Sequence, residues 1–208
     1  MMRQIMGFKQ GMARVFRANG DIVPVTVIVA GPCPVVQVKD VAHDGYHALQ
    51  IAVGEIRKTL VNRPMAGHFK SIEPKRHLRE VRFAEAPEKA VGDVLTVDQF
   101  RPGDRVDVVG VSKGLGFQGA VRRHGFGGGS TTHGQSDRRR APGSVGSSSY
   151  PSRVFRGQRM AGHMGNVRVT VRNMEVVDVR PEENLILLGG AVPGKCNALI
   201  TIREIKKA

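Results

Sequence analysis

The chain has 208 residues, 40% of them apolar, enough to build a buried core in one large domain or two small ones. Aromatic residues are scarce at 5% and Trp is absent, so that core must come from Val, Ile, Leu, Met and Ala. A formal charge of +14 and a pI near 10.7 call for a polyanionic partner, nucleic acid ahead of an anionic membrane, and no apolar run approaches the ~20 residues of a membrane-spanning helix.

At the N-terminus, Arg3 and Lys9 interrupt the apolar residues before a signal-peptide core can form. The first predicted strand is Ile22–Val29, β-branched and ending at the breaker Gly31-Pro32-Cys33-Pro34. Val35–Lys39 and Ala48–Val53 follow as short strands, with Asp44-Gly45 as a turn signal between them, and then Leu78–Phe83 and Arg105–Val111. Long amphipathic helices are absent, and a short helix is predicted near Glu85–Lys89. Beyond residue 165 the pattern is again β. Val167, Val169 and Val171 alternate with Arg168, Thr170 and Arg172, and Met174–Val179 continues the run. Leu185–Leu188 and Ala198–Ile202 are predicted to pair as a hairpin around Gly189–Asn197. Many short strands with Gly/Pro turns predict a mainly β fold, a closed barrel or a sandwich. The two cysteines, Cys33 and Cys196, lie far apart without CxxC spacing and read as buried thiols of a cytosolic protein.

Between the two β regions lies a stretch of another kind. Ser112–Gly165 holds 13 of the 26 glycines, nine Lys or Arg and a single acid, Asp137, and so carries +8 of the formal +14. Its apolar content is too low to offset the entropy of ordering, and it is far longer than an ordinary loop. The expected organisation is residues 1–111 as the first part of a β domain with peripheral insertions, 112–165 as an irregular extension ordered by a partner, and 166–208 as the strands that complete the domain.

Four patterns suggest catalysis or cofactor binding, and each lacks a required part. Gly114-Leu115-Gly116-Phe117-Gln118-Gly119 matches the dinucleotide fingerprint, but that motif needs a helix N-terminus to hold the pyrophosphate. Here the only helix-competent run is Ala120–His124, cut short by Gly125. Gly189–Lys195 fits the phosphate-loop spacing, yet Cys196 replaces the magnesium-binding hydroxyl and a strand is predicted to follow. His124, His133 and His163 have no metal-ligand spacing, and Ser130, His133 and Asp137 form a trio that any Ser- and His-bearing loop could supply. No cofactor, metal site, small-molecule substrate or enzymatic activity is expected.

What remains is a constellation for RNA. Lys113, Arg122, Arg123, Arg138, Arg139, Arg140, Arg153, Arg156 and Arg159 recur between glycines, with Arg favoured eight to one. The planar guanidinium grips phosphate bidentately and stacks on bases. Glycine lets the backbone come close to RNA. Phe117, Phe126, Tyr150 and Phe155 are interleaved as stacking candidates, and His124, His133, His163 and Arg168 join the candidate contacts. A solvated linker would instead mix Lys and Glu with Ser.

These residues also carry a resemblance. The runs GVSKGLGFQG at Gly110–Gly119, THG at Thr132–Gly134, RRAPGSVG at Arg139–Gly146 and PSRVFRGQRMAGHMG at Pro151–Gly165 closely resemble large-subunit ribosomal protein L-three of the bacterial or organellar type. GFKQGM at Gly7–Met12, IVPVTV at Ile22–Val27, NLILL at Asn184–Leu188 and GAVPG at Gly190–Gly194 extend the likeness over nearly the whole chain. The resemblance implies a closed β-barrel of the translation-factor kind, interrupted by a Gly/Arg-rich extension that threads through large-subunit rRNA toward the peptidyl-transferase centre. It also implies early binding near the 3′ domain of that rRNA, neighbours among ribosomal proteins fourteen and nineteen, and a structural rather than catalytic role in the cytoplasm. The family's extension tip corresponds to about Gly143–Pro151, that is Gly143, Ser144, Gly146, Ser147, Ser148, Ser149 and Tyr150 before Pro151. Two departures matter. Some bacterial members carry a methylated Gln where this chain has Ser149, which excludes that modification, and many relatives read His-Arg where this chain has Arg139-Arg140.

Overall fold

The computed structural model describes residues 3–70 and 72–205, which divide into two compact units, one formed by the chain up to Val111 together with the chain from Arg168, the other by Ser112–Val167. In chain order the first unit contains β1 (Gln4–Phe16), β2 (Ile22–Ala30), β3 (Cys33–Lys39), α1 (Val41–Asp44), β4 (His47–Glu55), α2 (Arg63–Phe69), β5 (Lys75–Phe83), β6 (Val94–Leu95) and β7 (Arg105–Val111). The second unit supplies β8 (Gly116–Gln118), α3 (Ala120–His124) and β9 (Gly162–Met164), after which β10 (Arg168–Arg180), β11 (Leu185–Gly189) and β12 (Leu199–Glu204) return to the first.

Six strands close into a barrel in the order β1-β12-β7-β10-β11-β2, every neighbouring pair antiparallel. The mainly β reading and the closed barrel therefore hold. Barrel closure leaves those strands no open edge, which suits a protein without long helices to cover one. The interior is aliphatic: Ile5, Ile28, Val108, Val176, Ile186, Leu188, Ile200 and Ile202 are all fully buried. A four-stranded sheet, β5-β4-β3-β6, adds Val35, Leu49, Ile51 and Val81 to the same apolar cluster. On its other face α2 lays Phe69 against Val36 and Ala52. Asn62 caps α2 by accepting from the Met65 N–H, and Pro64 sits in its first turn, where the missing N–H costs nothing.

The strands predicted at Ile22–Val29, Val35–Lys39, Ala48–Val53, Leu78–Phe83 and Arg105–Val111 are present, some longer by a few residues. Asp44-Gly45 marks a turn as expected, here the end of α1, which Gly45 closes at φ 80°. Four points differ. β1 was not anticipated, because Gly7, Lys9, Gln10 and Gly11 break its alternation around an irregularity between Lys9 and Gly11. Glu85–Lys89 is not helical, since Pro87 sits within five residues that offer no apolar face. The predicted hairpin between Leu185–Leu188 and Ala198–Ile202 does not form. β11 lies between β10 and β2 and β12 between β1 and β7, because each apolar strand finds its partners around the closed barrel rather than next door in sequence. Cys33 is buried and free as expected, donating weakly to the Met6 carbonyl at 3.4 Å, and burial pushes its thiol up to about 11. Cys196 is also free but exposed, because its turn lies outside the barrel wall.

Arg3 ties the start of β1 to the end of β12. Its guanidinium donates to Glu204 at 2.7 Å, to Asp104 at 2.9 Å and to the Gln99 carbonyl at 2.6 Å, joining β1, β12 and the turn before β7. The hydrogen bond from Arg3 holds the Glu204 carboxyl below the usual carboxylate range. A depressed carboxylate contributes stability that is present above its unfolded pKa of ~4.3 and is lost as pH falls through its lower folded value. Glu204→Gln is accordingly expected to cost about 1 kcal/mol at pH 7, the pair being partly exposed. In urea titrations the gap from the parent should close as pH falls below about 4, and a gap unchanged at acid pH would refute the assignment.

Candidate nucleic-acid interface

Ser112–Val167 begins and ends as two limbs held side by side. The Ser112 N–H donates to the Val167 carbonyl at 2.9 Å and the Leu115 N–H to the Met164 carbonyl at 2.9 Å. β8 and β9 then pair antiparallel, with Phe117 opposite His163. Gly165 adopts φ 76° with its Cα against the Lys113 carbonyl, a place where a Cβ has no room.

The run Ala120–His124 is helical as expected, and Gly125 at φ 75° stops it after five residues, the Gly125 N–H bonding the Val121 carbonyl. No longer helix opens at the glycines, so the fingerprint Gly114–Gly119 lacks the element that would hold a pyrophosphate. The phosphate-loop match at Gly189–Lys195 runs into β12, a strand, as the sequence suggests. No group of three or more His, Cys, Asp or Glu among the described residues is placed to hold a metal ion.

From Gly125 to Ala161 there is no regular element. The backbone is tied instead by isolated contacts. The Arg123 Nη1 donates to the Met160 carbonyl at 2.8 Å, and His124 Nε2 lies 3.0 Å from the same oxygen. The Gly129 N–H donates to the Arg139 carbonyl at 2.8 Å. Near the middle, the Ser144 hydroxyl donates to the Gly146 carbonyl at 2.8 Å, and the Ser152 hydroxyl to that of Ser149. Of residues 112–167 only Ala120 is buried, so this unit has no hydrophobic core of its own.

The predicted contact residues fall as follows. Lys113 lies on the entering limb, Arg122, Arg123 and His124 on α3, and His163 on β9. His133 occupies a turn at φ 62°, followed by Arg138–Arg140, and Arg153, Arg156 and Arg159 line the return. All are exposed except Arg123 and His124, which are half-buried and spend donors on Met160. Arg168 opens β10 opposite Val111 and is exposed. None of the nine Lys and Arg side chains of Ser112–Gly165 forms an ion pair among the described residues. Phe117, Phe155 and Tyr150 are exposed, Tyr150 at 89%, and the residues of Gly143–Tyr150 are exposed throughout. Sequence reasoning missed the Met160 carbonyl as a shared acceptor, because nothing in a side-chain pattern marks a backbone oxygen.

Nine cations without an ion pair among the described residues therefore lie on a coreless, glycine-rich segment of a β-barrel chain. Residues 72–184 match the family described as Ribosomal protein L3. The chain is 50% identical over 209 residues to the large ribosomal subunit protein uL3 of Herpetosiphon aurantiacus, covering 100% of this chain and 99% of that protein. It is 50% identical over 205 residues to uL3 of Acidothermus cellulolyticus, covering 98% of this chain and 92% of the relative. Against uL3 of Chlorobium limicola it is 50% identical over 209 residues, covering 99% and 100%. The chain belongs to the ribosomal protein L3 family. As an L3 protein it is a structural component of the large ribosomal subunit and not an enzyme. No helix among the described residues is long and apolar enough to cross a membrane.

Gly165→Ala should disrupt the pairing of the two limbs, since the new methyl meets the Lys113 carbonyl and the φ is unfavourable. The expected outcome is accelerated amide exchange at Leu115 with the first unit's exchange unchanged. Parent-like protection at Leu115 would show that the limbs are not coupled through this glycine.

Proposed function

We propose that the chain binds large-subunit rRNA through Ser112–Gly165, with Lys113, Arg122, Arg123, Arg138, Arg139, Arg140, Arg153, Arg156 and Arg159 on phosphates and His124, His133, His163 and Arg168 supplementing them. The observation that carries this reading is the set of nine cations with no carboxylate partner among the described residues, on a segment with one buried residue. A polyanion neutralises that charge and supplies the contacts that the segment lacks internally. The exposed aromatics Phe117, Phe155 and Tyr150 are available to stack on unpaired bases.

In this reading the protein binds early in subunit assembly and acts in the cytoplasm, where it orders RNA it does not itself act upon. Its extension reaches toward the peptidyl-transferase centre with Gly143, Ser144, Gly146, Ser147, Ser148, Ser149 and Tyr150 at the tip, and ribosomal proteins fourteen and nineteen are its neighbours. Small, exposed residues in that stretch suit a backbone packed closely among RNA strands.

Binding of the purified chain to a large-subunit rRNA transcript tests this. Each phosphate contact contributes ~0.7–0.9 to the slope of log affinity against log salt, so a slope on the order of 5 or more is expected. A flat response would remove the arginine model. Arg138→Glu, Arg139→Glu and Arg140→Glu together should reduce the slope by about 2. Limited proteolysis offers a second check: cuts in free protein should fall within Ser112–Gly165, and incorporation into the subunit should suppress them. Cutting confined to the barrel strands would contradict partner-coupled ordering.

A further inference from the structure

Outside Ser112–Gly165 the charge is unevenly spread. The 28 residues Glu55–Arg82 hold eight Lys or Arg and three acids, a formal +5 of the +6 that remains, which leaves the other 126 residues at +1. This stretch comprises the end of β4, α2 and β5.

Its acids are largely consumed internally. Glu80 accepts from Lys39 at 3.0 Å and from the Tyr46 hydroxyl at 2.9 Å, and Glu73 accepts from Lys75 at 2.8 Å. Of the eight cations in the stretch, only Lys75 forms an ion pair among the described residues. Elsewhere in this unit Arg3, Arg17, Arg105, Arg180 and Arg203 each meet a carboxylate.

The unpaired arginines have an ordered arrangement. β5 is the outer strand of its sheet. Arg76, Arg79 and Arg82 recur along it at every third residue, all exposed, over ~20 Å of extended chain; strand alternation puts Arg76 and Arg82 on one face and Arg79 on the other, so they flank the free edge from both sides. The Arg82 guanidinium lies 4.3 Å from the Tyr46 ring centroid, and the Tyr46 hydroxyl is fixed by Glu80 and Lys39. Stacking holds the fork in place while leaving its N–H groups free for a phosphate. His77 lies between Arg76 and Arg79, and its pKa is lowered by burial and by those two charges. Among the described residues of the stretch, the only large apolar side chain exposed is Leu60, whereas a protein partner would need buried apolar or aromatic anchors.

We infer that the β5 edge, with the cations of the α2 segment, is a second RNA-binding surface that holds a phosphodiester backbone, separate in sequence from Ser112–Gly165. The inference rests on the rRNA-binding reading above and adds a contact region to it. Edge-strand arginines also discourage strand-to-strand association, so one set of residues serves both ends.

The test compares three full-length chains on the same large-subunit rRNA transcript across a salt series. They are the parent, the variant R76E/R79E/R82E, and a charge-matched control, R14E/R101E/K195E, altered at exposed positions elsewhere in the unit. Circular dichroism and thermal unfolding confirm that each is folded. The edge variant is expected to bind about 10-fold or more weakly at physiological salt and to lose about 2 from the salt slope, with the control close to the parent. Equal losses in edge variant and control would assign the effect to net charge and overturn the proposal. So would a parent-like slope in the edge variant. If that variant binds rRNA normally yet fails to enter subunits, the surface belongs to an acidic protein neighbour and the RNA assignment is wrong. A parent chain without salt-dependent rRNA binding would instead refute the underlying reading, an outcome distinct from the other three.

Discussion

The antiparallel pairing of β7 with β10 is the constraint on which the rest of the chain depends. Val111 and Arg168 are direct partners in that ladder, so the 56 residues between them leave and return at adjacent positions on the barrel wall. Closing a loop of that length costs entropy that grows only logarithmically with its size. The cost is met by a barrel interior of fully buried Val, Ile and Leu, to which β7 and β10 contribute Val106, Val108, Met174 and Val176. A protein that must present a long segment with almost no buried residues needs such an anchor, and the largely aliphatic barrel core supplies it.

The division of labour between the units is also a division of physical forces. The first unit is held by apolar burial and the closed pairing of its barrel strands, and many of its charges are matched, as in the Arg3 contacts with Asp104 and Glu204. The second relies on glycine conformations, isolated backbone hydrogen bonds and the shared Met160 carbonyl. Its cations form no ion pair among the described residues, so like-charge repulsion opposes its compact form. The β5 strand repeats that logic on a regular element, where sheet geometry rather than glycine sets the spacing of the charges.

Much of this was legible in the sequence because the signals were local. β-branched runs at Ile22–Val29 and Arg105–Val111 marked strands, and the Val/Arg alternation from Val167 marked β10. Gly125 marked the end of α3. β1 was missed because glycines and polar residues dilute its period at the irregularity near Lys9. The partners of β11 and β12 were misassigned because ring closure is a global property that nearest-neighbour reasoning cannot see. α2 escaped because seven residues containing Gly67 and a leading Pro64 carry little helical signal. In the site, side-chain chemistry was legible, while the tie of Arg123 and His124 to a backbone oxygen was not.

The contrast between the two cysteines has a practical side. Cys33 is sealed in the barrel with its thiol pushed up to about 11, so at neutral pH it holds its proton and offers no nucleophile. Cys196 stands exposed in the turn between β11 and β12. A maleimide fluorophore or spin label added to the native chain would therefore settle at one position on the barrel, away from both arginine-bearing stretches in sequence. The molecule carries a built-in reporter site from which its incorporation into ribosomal particles can be followed without altering a single residue.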